Sequence, residues 1–160
     1  MLYLIVAVLF ASARADAQSA AKTSTKPRPT EISTDHLKIR YVSEVVVPPG
    51  EVASLIVEIE PRQGMHVYAP GAGDYQVITL TMTGQPGLKT RPIKYPPSET
   101  YFFAPLNERI PVYMKPFQLS AQAIVTSAVK ALKGRLDYQA CDDKVCFAPV
   151  EVPLSWTIAR

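Results

Sequence analysis

The residues best suited to chemistry in this chain are its two cysteines, Cys141 and Cys146. They flank the short polar segment Asp142–Val145, which fits a tight connection between two strands. Apolar and polar side chains alternate before Cys141, and the alternation returns over Val150–Ile158. Since a period of two predicts a β-strand, we expect the cysteines to face each other near the mouth of a hairpin.

A disulfide in this position is predicted to be reducible. Facing side chains in a hairpin have Cβ atoms about 4.5–5.5 Å apart, whereas a disulfide prefers about 3.5–4.5 Å. Strained or exposed disulfides have the more easily reduced potentials. The alternative, a structural disulfide, is disfavoured because a closed loop of about six residues stabilises by only roughly 2 kcal/mol. It stays open, since small exported domains do keep short-range disulfides.

Metal binding is a rival of a different class. A zinc site needs four ligands, so both cysteines would have to converge with His36 and His66. A blue-copper site needs two histidines and a cysteine, and neither histidine is near the cysteines in sequence. We therefore predict no metal and no other cofactor. His66 would either tune the protonation of the cysteine pair or serve as a hydrogen-bonded structural residue, which is the favoured interpretation.

The rest of the chain reads as a series of short strands with turns between them. The 15 prolines and the close spacing of the strands favour an all-β fold, a single-domain antiparallel β-sandwich of immunoglobulin type. Trp156 is expected to anchor the core, and Ser127–Lys133 is compatible with a helical turn. Besides the segments around the cysteines, the predicted strands are Leu37–Val47, Val52–Glu60, Met65–Tyr68, Tyr75–Thr83, Leu88–Tyr95, Arg109–Lys115 and Phe117–Val125.

The N-terminal residues have the composition of an export signal. A short apolar run is followed by small residues with A-x-A cleavage sites, which predicts a signal peptide over residues 1–17. Residues 18–34 are rich in Ala, Ser, Thr, Lys and Pro and are expected to form a flexible tether. The domain then spans residues 35–160. An oxidising compartment, best matched by a bacterial periplasm, would keep the cysteines paired.

The charge pattern argues against nucleic-acid binding. The formal net charge is only +3, and Lys and Arg are scattered among Asp and Glu. No small-molecule substrate is evident either.

The segment Leu136–Pro149 carries a specific resemblance. Its Tyr-Gln-x-Cys…Cys-x-x-Pro pattern, which begins at Tyr138, resembles the N-terminal periplasmic domain of the thiol:disulfide interchange protein DsbD. Gly64–Tyr68, Lys94–Pro97 and Val112-Tyr113 match further pieces of that family in the same order. The likeness covers roughly residues 35–158.

The resemblance implies an immunoglobulin-like domain with one redox-active cysteine pair. Cys146 would form mixed disulfides with partners, and Cys141 would resolve them. Tyr68 corresponds to an aromatic residue beside the pair, and His66 takes the place of a neighbouring aromatic residue. The motif residue Tyr138 and the residues where the family has a cap loop complete the expected surround: Glu99, Tyr101, Phe102 and Phe103.

The resemblance also implies partners. The family passes electrons between a membrane electron carrier, a thioredoxin-like domain and periplasmic disulfide proteins. This sequence contains neither a membrane domain nor a thioredoxin-like domain, so we expect separate proteins to supply those steps. The activity would be of the protein-disulfide reductase type, with cytochrome c biogenesis, disulfide isomerisation and peroxide defence all open as its context. Because Asp142 and Asp143 disfavour a thiolate, we expect a relay that reacts mainly with a better-activated partner.

Overall fold

A computed structural model describes residues 29–48 and 50–160. Within this part the chain forms short strands and one 3₁₀ helix, Ala104–Leu106, and no helix is long or apolar enough to cross a membrane. The strands are β1 (Pro29–Ser33), β2 (Leu37–Val42), β3 (Glu44–Val46), β4 (Val52–Pro61), β5 (His66–Tyr68), β6 (Thr79–Met82), β7 (Leu88–Thr90), β8 (Glu99–Phe103), β9 (Glu108–Tyr113), β10 (Phe117–Val125), β11 (Ala131–Tyr138), β12 (Ala140–Cys141) and β13 (Val150–Ala159).

The strands form three sheets. The first has the order β1-β2-β4-β10-β7, the second β3-β13-β11-β6 and the third β12-β5-β9-β8. All neighbouring pairs are antiparallel except β3 with β13, which is parallel. The predicted all-β, immunoglobulin-like antiparallel sandwich is confirmed.

The core lies where the alternating strands of the first two sheets turn their apolar sides to each other. In β4 and β10 every second residue is buried, as the period of two predicts. From the second sheet Trp156 is only 1% exposed and packs edge-on against Tyr41, with ring centroids 5.3 Å apart. Trp156 is thus the core anchor that the sequence predicts. Each large side chain buried in this way contributes about 1.5–3 kcal/mol.

One strand prediction and the tether prediction need correction at the N-terminal side. The predicted strand Leu37–Val47 divides at Ser43, because β2 pairs with β4 in the first sheet while β3 pairs with β13 in the second. The tether predicted over residues 18–34 overlaps β1, since Pro29–Ser33 pairs with β2 along its whole length. Backbone pairing with β2 explains why a polar segment is extended and ordered here. The predicted signal peptide and residues 18–28 of the tether lie outside the described residues.

Two other segments also differ from expectation. The aromatic residues at 101–103, which we treated as a loop, belong to β8, which forms a hairpin with β9. Ser127–Lys133 is not helical, because a turn closed by the Val129 N–H on the Thr126 carbonyl, at 3.2 Å, leads directly into β11. Both results follow from pairing with neighbouring strands, which local sequence does not reveal.

Gly134 in β11 occupies a position with no room for a side chain. A Cβ atom there would lie 3.0 Å from the Thr81 carbonyl oxygen and 3.1 Å from Trp156 Cζ3. We predict that Gly134→Ala lowers the free energy of unfolding by about 1–3 kcal/mol, the usual cost of overpacking. Chemical denaturation measures this value. In the matched variant Gly84→Ala, where nothing lies within 4 Å, stability should be unchanged or slightly higher. Equal stability of the two variants would contradict the prediction.

Candidate redox site

The two cysteines form a disulfide at the tip of the long β11–β13 hairpin. β11 and β13 pair as far as Tyr138 with Val150, and beyond this point Cys141 and Cys146 face each other as an antiparallel bridge. Their Cα atoms are 4.0 Å apart. Backbone hydrogen bonds from Asp142 N–H to the Val145 carbonyl (3.0 Å) and from Phe147 N–H to the Ala140 carbonyl (2.8 Å) close the turn. The predicted hairpin and cysteine pairing are confirmed.

The two sulfur-bearing residues differ in accessibility. Cys141 belongs to β12 and is 1% exposed, whereas Cys146 follows the turn and is exposed. The turn itself is ordered by Asp142, whose Oδ1 accepts hydrogen bonds from the N–H groups of Lys144 and Val145, both at 2.7 Å. The backbone N–H groups of Val145 and Lys144 hold the pKa of the Asp142 carboxyl below its ordinary value. An ionised carboxylate therefore lies next to the pair at neutral pH.

The third sheet attaches this disulfide to the sandwich. β12 pairs with β5 in the register Cys141 with His66 and Ala140 with Val67. Ala140 and Val67 point into the main core, so Cys141, His66 and Tyr68 share the opposite face of the sheet. On that face the Tyr68 O–H donates a hydrogen bond to Cys146 Sγ at 3.4 Å. A disulfide sulfur has no proton to give, which fixes Tyr68 as the donor.

Aromatic rings cover this face of the sheet. The Tyr101 ring lies against His66 with centroids 4.7 Å apart, and Tyr75 stacks on Tyr68 at 4.5 Å. Phe103 packs against the same cluster. The Tyr75 O–H donates to Glu108 Oε2 at 2.6 Å, which raises the pKa of Tyr75 to about 12 and fixes this ring over Tyr68.

Burial sets the protonation of the two polar side chains beside the pair. Burial raises the pKa of Tyr68 and lowers that of His66, the latter shift being opposed by the Asp142 carboxylate. At neutral pH Tyr68 therefore keeps its proton as a hydrogen-bond donor, and His66 is a neutral imidazole.

The structure brings six of the predicted site residues together, and the other three make different contacts. Glu99 begins β8 on the same face as Tyr101 and Phe103; its Oε1 forms an ion pair with Lys115 at 2.7 Å, and its Oε2 is buried without a hydrogen-bond partner. Phe102 is 47% exposed on the other face of β8, with the Arg109 guanidinium 5.3 Å from its ring centre. Tyr138 is buried in the main core, and its hydroxyl is 2.8 Å from Thr34 Oγ1. The six residues that share the site are Cys141, Cys146, His66, Tyr68, Tyr101 and Phe103.

Sequence reasoning missed Tyr75 and Glu108. Gly71 and Gly73 adopt φ values of +94° and +62°, which favour glycine, and the resulting turns return Tyr75 over Tyr68. Tyr75 opens the predicted strand Tyr75–Thr83, whereas the strand in the structure begins only at Thr79. The two closely spaced glycines are the one sequence signal that could have predicted this turn. The contact between Tyr75 and Glu108 joins residues far apart in the chain, and no local sequence pattern predicts it.

Metal ligands do not gather anywhere in the described part of the chain. Residues 29–48 and 50–160 contain no group of three or more His, Cys, Asp or Glu side chains arranged to hold an ion. His36 packs against Phe147, with ring centroids 4.5 Å apart, whereas His66 packs against Tyr101.

A β-sandwich with a disulfide at one end, one cysteine exposed and the other buried, is the arrangement expected of a thiol-disulfide exchange domain. A family model described as "Thiol:disulfide interchange protein DsbD, N-terminal" matches residues 34–153. The chain belongs to this family. The resemblance stated from the cysteine motif is thereby confirmed.

A solved structure shows the same fold. The N-terminal periplasmic domain of ScsB from Proteus mirabilis superposes with a TM-score of 0.57 at 15% identity, covering 79% of this chain and 49% of that one. This chain thus spans about half the length of that relative. The reduced DsbD N-terminal domain of Neisseria meningitidis gives a TM-score of 0.47 at 20% identity, covering 71% of this chain and 80% of that one. No curated protein sequence matches the chain.

The Tyr68 hydroxyl provides a test of the site. We predict that Tyr68→Phe raises the pKa of the Cys146 thiol in the reduced protein by roughly one unit, because a hydrogen bond to a charged group contributes about 1.5–3 kcal/mol. The pH dependence of alkylation at Cys146 measures this pKa. The matched variant Tyr138→Phe loses the contact with Thr34 in the core and should leave the Cys146 pKa unchanged. Equal thiol pKa values in all three proteins would show that Tyr68 has no part in the chemistry.

Proposed function

We propose that this chain is a periplasmic domain that relays electrons through Cys141 and Cys146 to or from thioredoxin-like partner proteins. A DsbD-type membrane electron carrier would be a further partner. The observation that carries the proposal is the exposed Cys146 bonded to a Cys141 that is 1% exposed. A partner protein can approach only one of the two sulfurs, so the order of the exchange steps is built into the site.

The exchange has two steps in each direction. When the domain receives electrons, a partner thiolate attacks Cys146 Sγ and breaks the bond to Cys141, and the partner's second thiolate then attacks the partner sulfur of the mixed disulfide and releases Cys146. When the domain gives electrons, the Cys146 thiolate attacks the partner's disulfide to form the mixed disulfide, and Cys141 then attacks Cys146 Sγ and releases the partner in its reduced form. Cys141 is suited to this second role because β12 holds it beside Cys146 and shields it from other thiols.

Local electrostatics support a relay and not a general reductase. The ionised Asp142 lies next to Cys141 and opposes a second negative charge on a thiolate. The described residues contain no α-helix whose N-terminus could favour the thiolate. The pair should therefore react slowly with small thiols and faster inside a complex, where a partner thiolate starts the exchange.

The proposed location follows from the N-terminal sequence and the relatives. Residues 1–17 would direct export, residues 18–28 would tether the domain, and residues 29–160, with β1 included, would form the exchange unit. The ScsB relative is described as a periplasmic domain, which is consistent with this assignment. An oxidising compartment also suits a chain whose two cysteines are bonded to each other.

The reduction potential of the pair decides between exchange and a purely structural disulfide. We expect a value of roughly −180 to −270 mV, the range of known exchange proteins. Thiol trapping of the folded chain across a redox-buffer series gives this potential. A value below about −300 mV would assign the disulfide to stability alone and leave a β-sandwich binding module as the remaining function.

The roles of the two cysteines make a second prediction. Cys141→Ser should accumulate a mixed disulfide with partners, because Cys146 can still be captured but nothing releases it. Cys146→Ser, its matched control, should capture none, because the remaining thiol is buried. Non-reducing gels of periplasmic extracts, followed by mass spectrometry of the shifted bands, report both results. Trapping by Cys146→Ser alone would reverse the assigned roles.

A further inference from the structure

His66 lies directly across the β5–β12 pairing from Cys141. Residues that face each other in an antiparallel pair have Cβ atoms about 4.5–5.5 Å apart on the same side of the sheet. Both residues are shielded from water, with His66 5% and Cys141 1% exposed. An imidazole and a thiol thus share one nearly closed space.

The proposed exchange needs a proton acceptor in that space, so this inference rests on the proposed function. Cys141 attacks as a thiolate and must lose its proton before or during the attack. Because Cys141 is buried, bulk water does not reach its thiol freely. The proton has to pass to a neighbouring side chain.

The groups around the thiol differ in how well they can accept a proton. The Asp142 carboxylate is a weak base because two backbone N–H groups lower its pKa. Tyr68 is protonated and donates to Cys146. From β8, Tyr101 presents a phenol against His66. Glu99, two residues before Tyr101, has Oε1 paired with Lys115 at 2.7 Å and Oε2 buried without a hydrogen-bond partner, whereas His66 is directly opposite Cys141 in the β5–β12 pairing. β9 contributes the apolar Ile110 and Val112 to this cluster.

His66 has the properties that the other groups lack. Its burial keeps the imidazole neutral at pH 7, so one ring nitrogen carries a free lone pair. The nearby Asp142 carboxylate stabilises the positive charge once the proton arrives, and this interaction raises the pKa of His66 toward its ordinary value. A base with a pKa near the working pH is the most effective in proton transfer.

We propose that His66 takes the thiol proton of Cys141 while Cys141 attacks the mixed disulfide. The Cys141–Cys146 bond forms, the bond from Cys146 to the partner breaks, and the partner sulfur leaves as a thiolate with the electron pair. The partner is reduced and this domain is oxidised. In the opposite direction the imidazolium returns the proton to Cys141 as it leaves.

The test follows the resolving step without any natural partner. The reduced full chain is mixed with 5,5′-dithiobis(2-nitrobenzoate), whose first nitrothiobenzoate is released when Cys146 forms a mixed disulfide and whose second is released by Cys141. Stopped-flow absorbance gives the rate of the second release from pH 5 to 9. In the wild type we expect this rate to reach half of its maximum below pH 6.5, the ordinary pKa of histidine.

The variant His66→Phe keeps an aromatic ring against Tyr101 but removes the base. Its half-maximal rate should move to about pH 8.5, the ordinary thiol pKa, and its rate at pH 7 should fall by roughly 10²-fold. His36→Phe is the matched control, since His36 packs against Phe147 and Tyr138, and it should follow the wild type.

The outcomes separate this inference from the proposed function. Equal pH profiles for wild type and His66→Phe overturn the role of His66 alone, whereas a disulfide that redox buffers cannot reduce overturns the proposed function. Near-ultraviolet circular dichroism checks that the variant folds. Should it not fold, the wild-type profile decides, because half-maximal release near pH 8.5 would show that Cys141 ionises without His66.

Discussion

The antiparallel pairing of β11 with β13 is the interaction on which the site depends. These strands pair from Ala131 with Thr157 to Tyr138 with Val150, and Trp156 fixes them in the core. Any slip of register by one residue would turn Trp156 to the solvent and displace the cysteine turn. The hydrophobic core therefore determines where the disulfide lies. The β12–β5 pairing then only has to attach the tip of the hairpin to the third sheet.

Burial of polar groups is what distinguishes this end of the sandwich from the rest of the fold. The third sheet uses one face for the main core and the other for Tyr68, His66 and Cys141. Polar side chains in such a position are costly unless they find partners. The Tyr68 hydroxyl donates a hydrogen bond to the sulfur of Cys146. Burial of polar side chains on this face lowers the stability of the fold, which is expected of a site with a chemical role.

The sequence predicts the fold well because the alternation of apolar and polar residues within a strand can be read from the local sequence. The strands around the cysteines and the core position of Trp156 follow from a period of two. Strands β8 and β1 are not predicted, although their partners β9 and β2 follow directly in sequence, because neither segment has a clear alternation of apolar and polar residues. At the site, the cysteine motif identifies the chemistry, and the proximity of Tyr68 comes through family resemblance. The positions of Tyr75, Phe102 and Tyr138 depend on which face of a strand each side chain takes, and this is fixed only by tertiary packing.

The unequal exposure of the two cysteines also determines which thiol of the reduced domain peroxides would oxidise first. Oxidation of a thiolate gives a sulfenic acid, which becomes irreversible damage if a second and third oxygen follow. The exposed Cys146 is the sulfur that such an oxidant reaches first. Cys141 faces it across the turn, so its thiol condenses with the sulfenic acid, releases water and restores the disulfide. The buried cysteine would thereby limit overoxidation of the exposed one, and the reduction step of the proposed exchange would complete the repair.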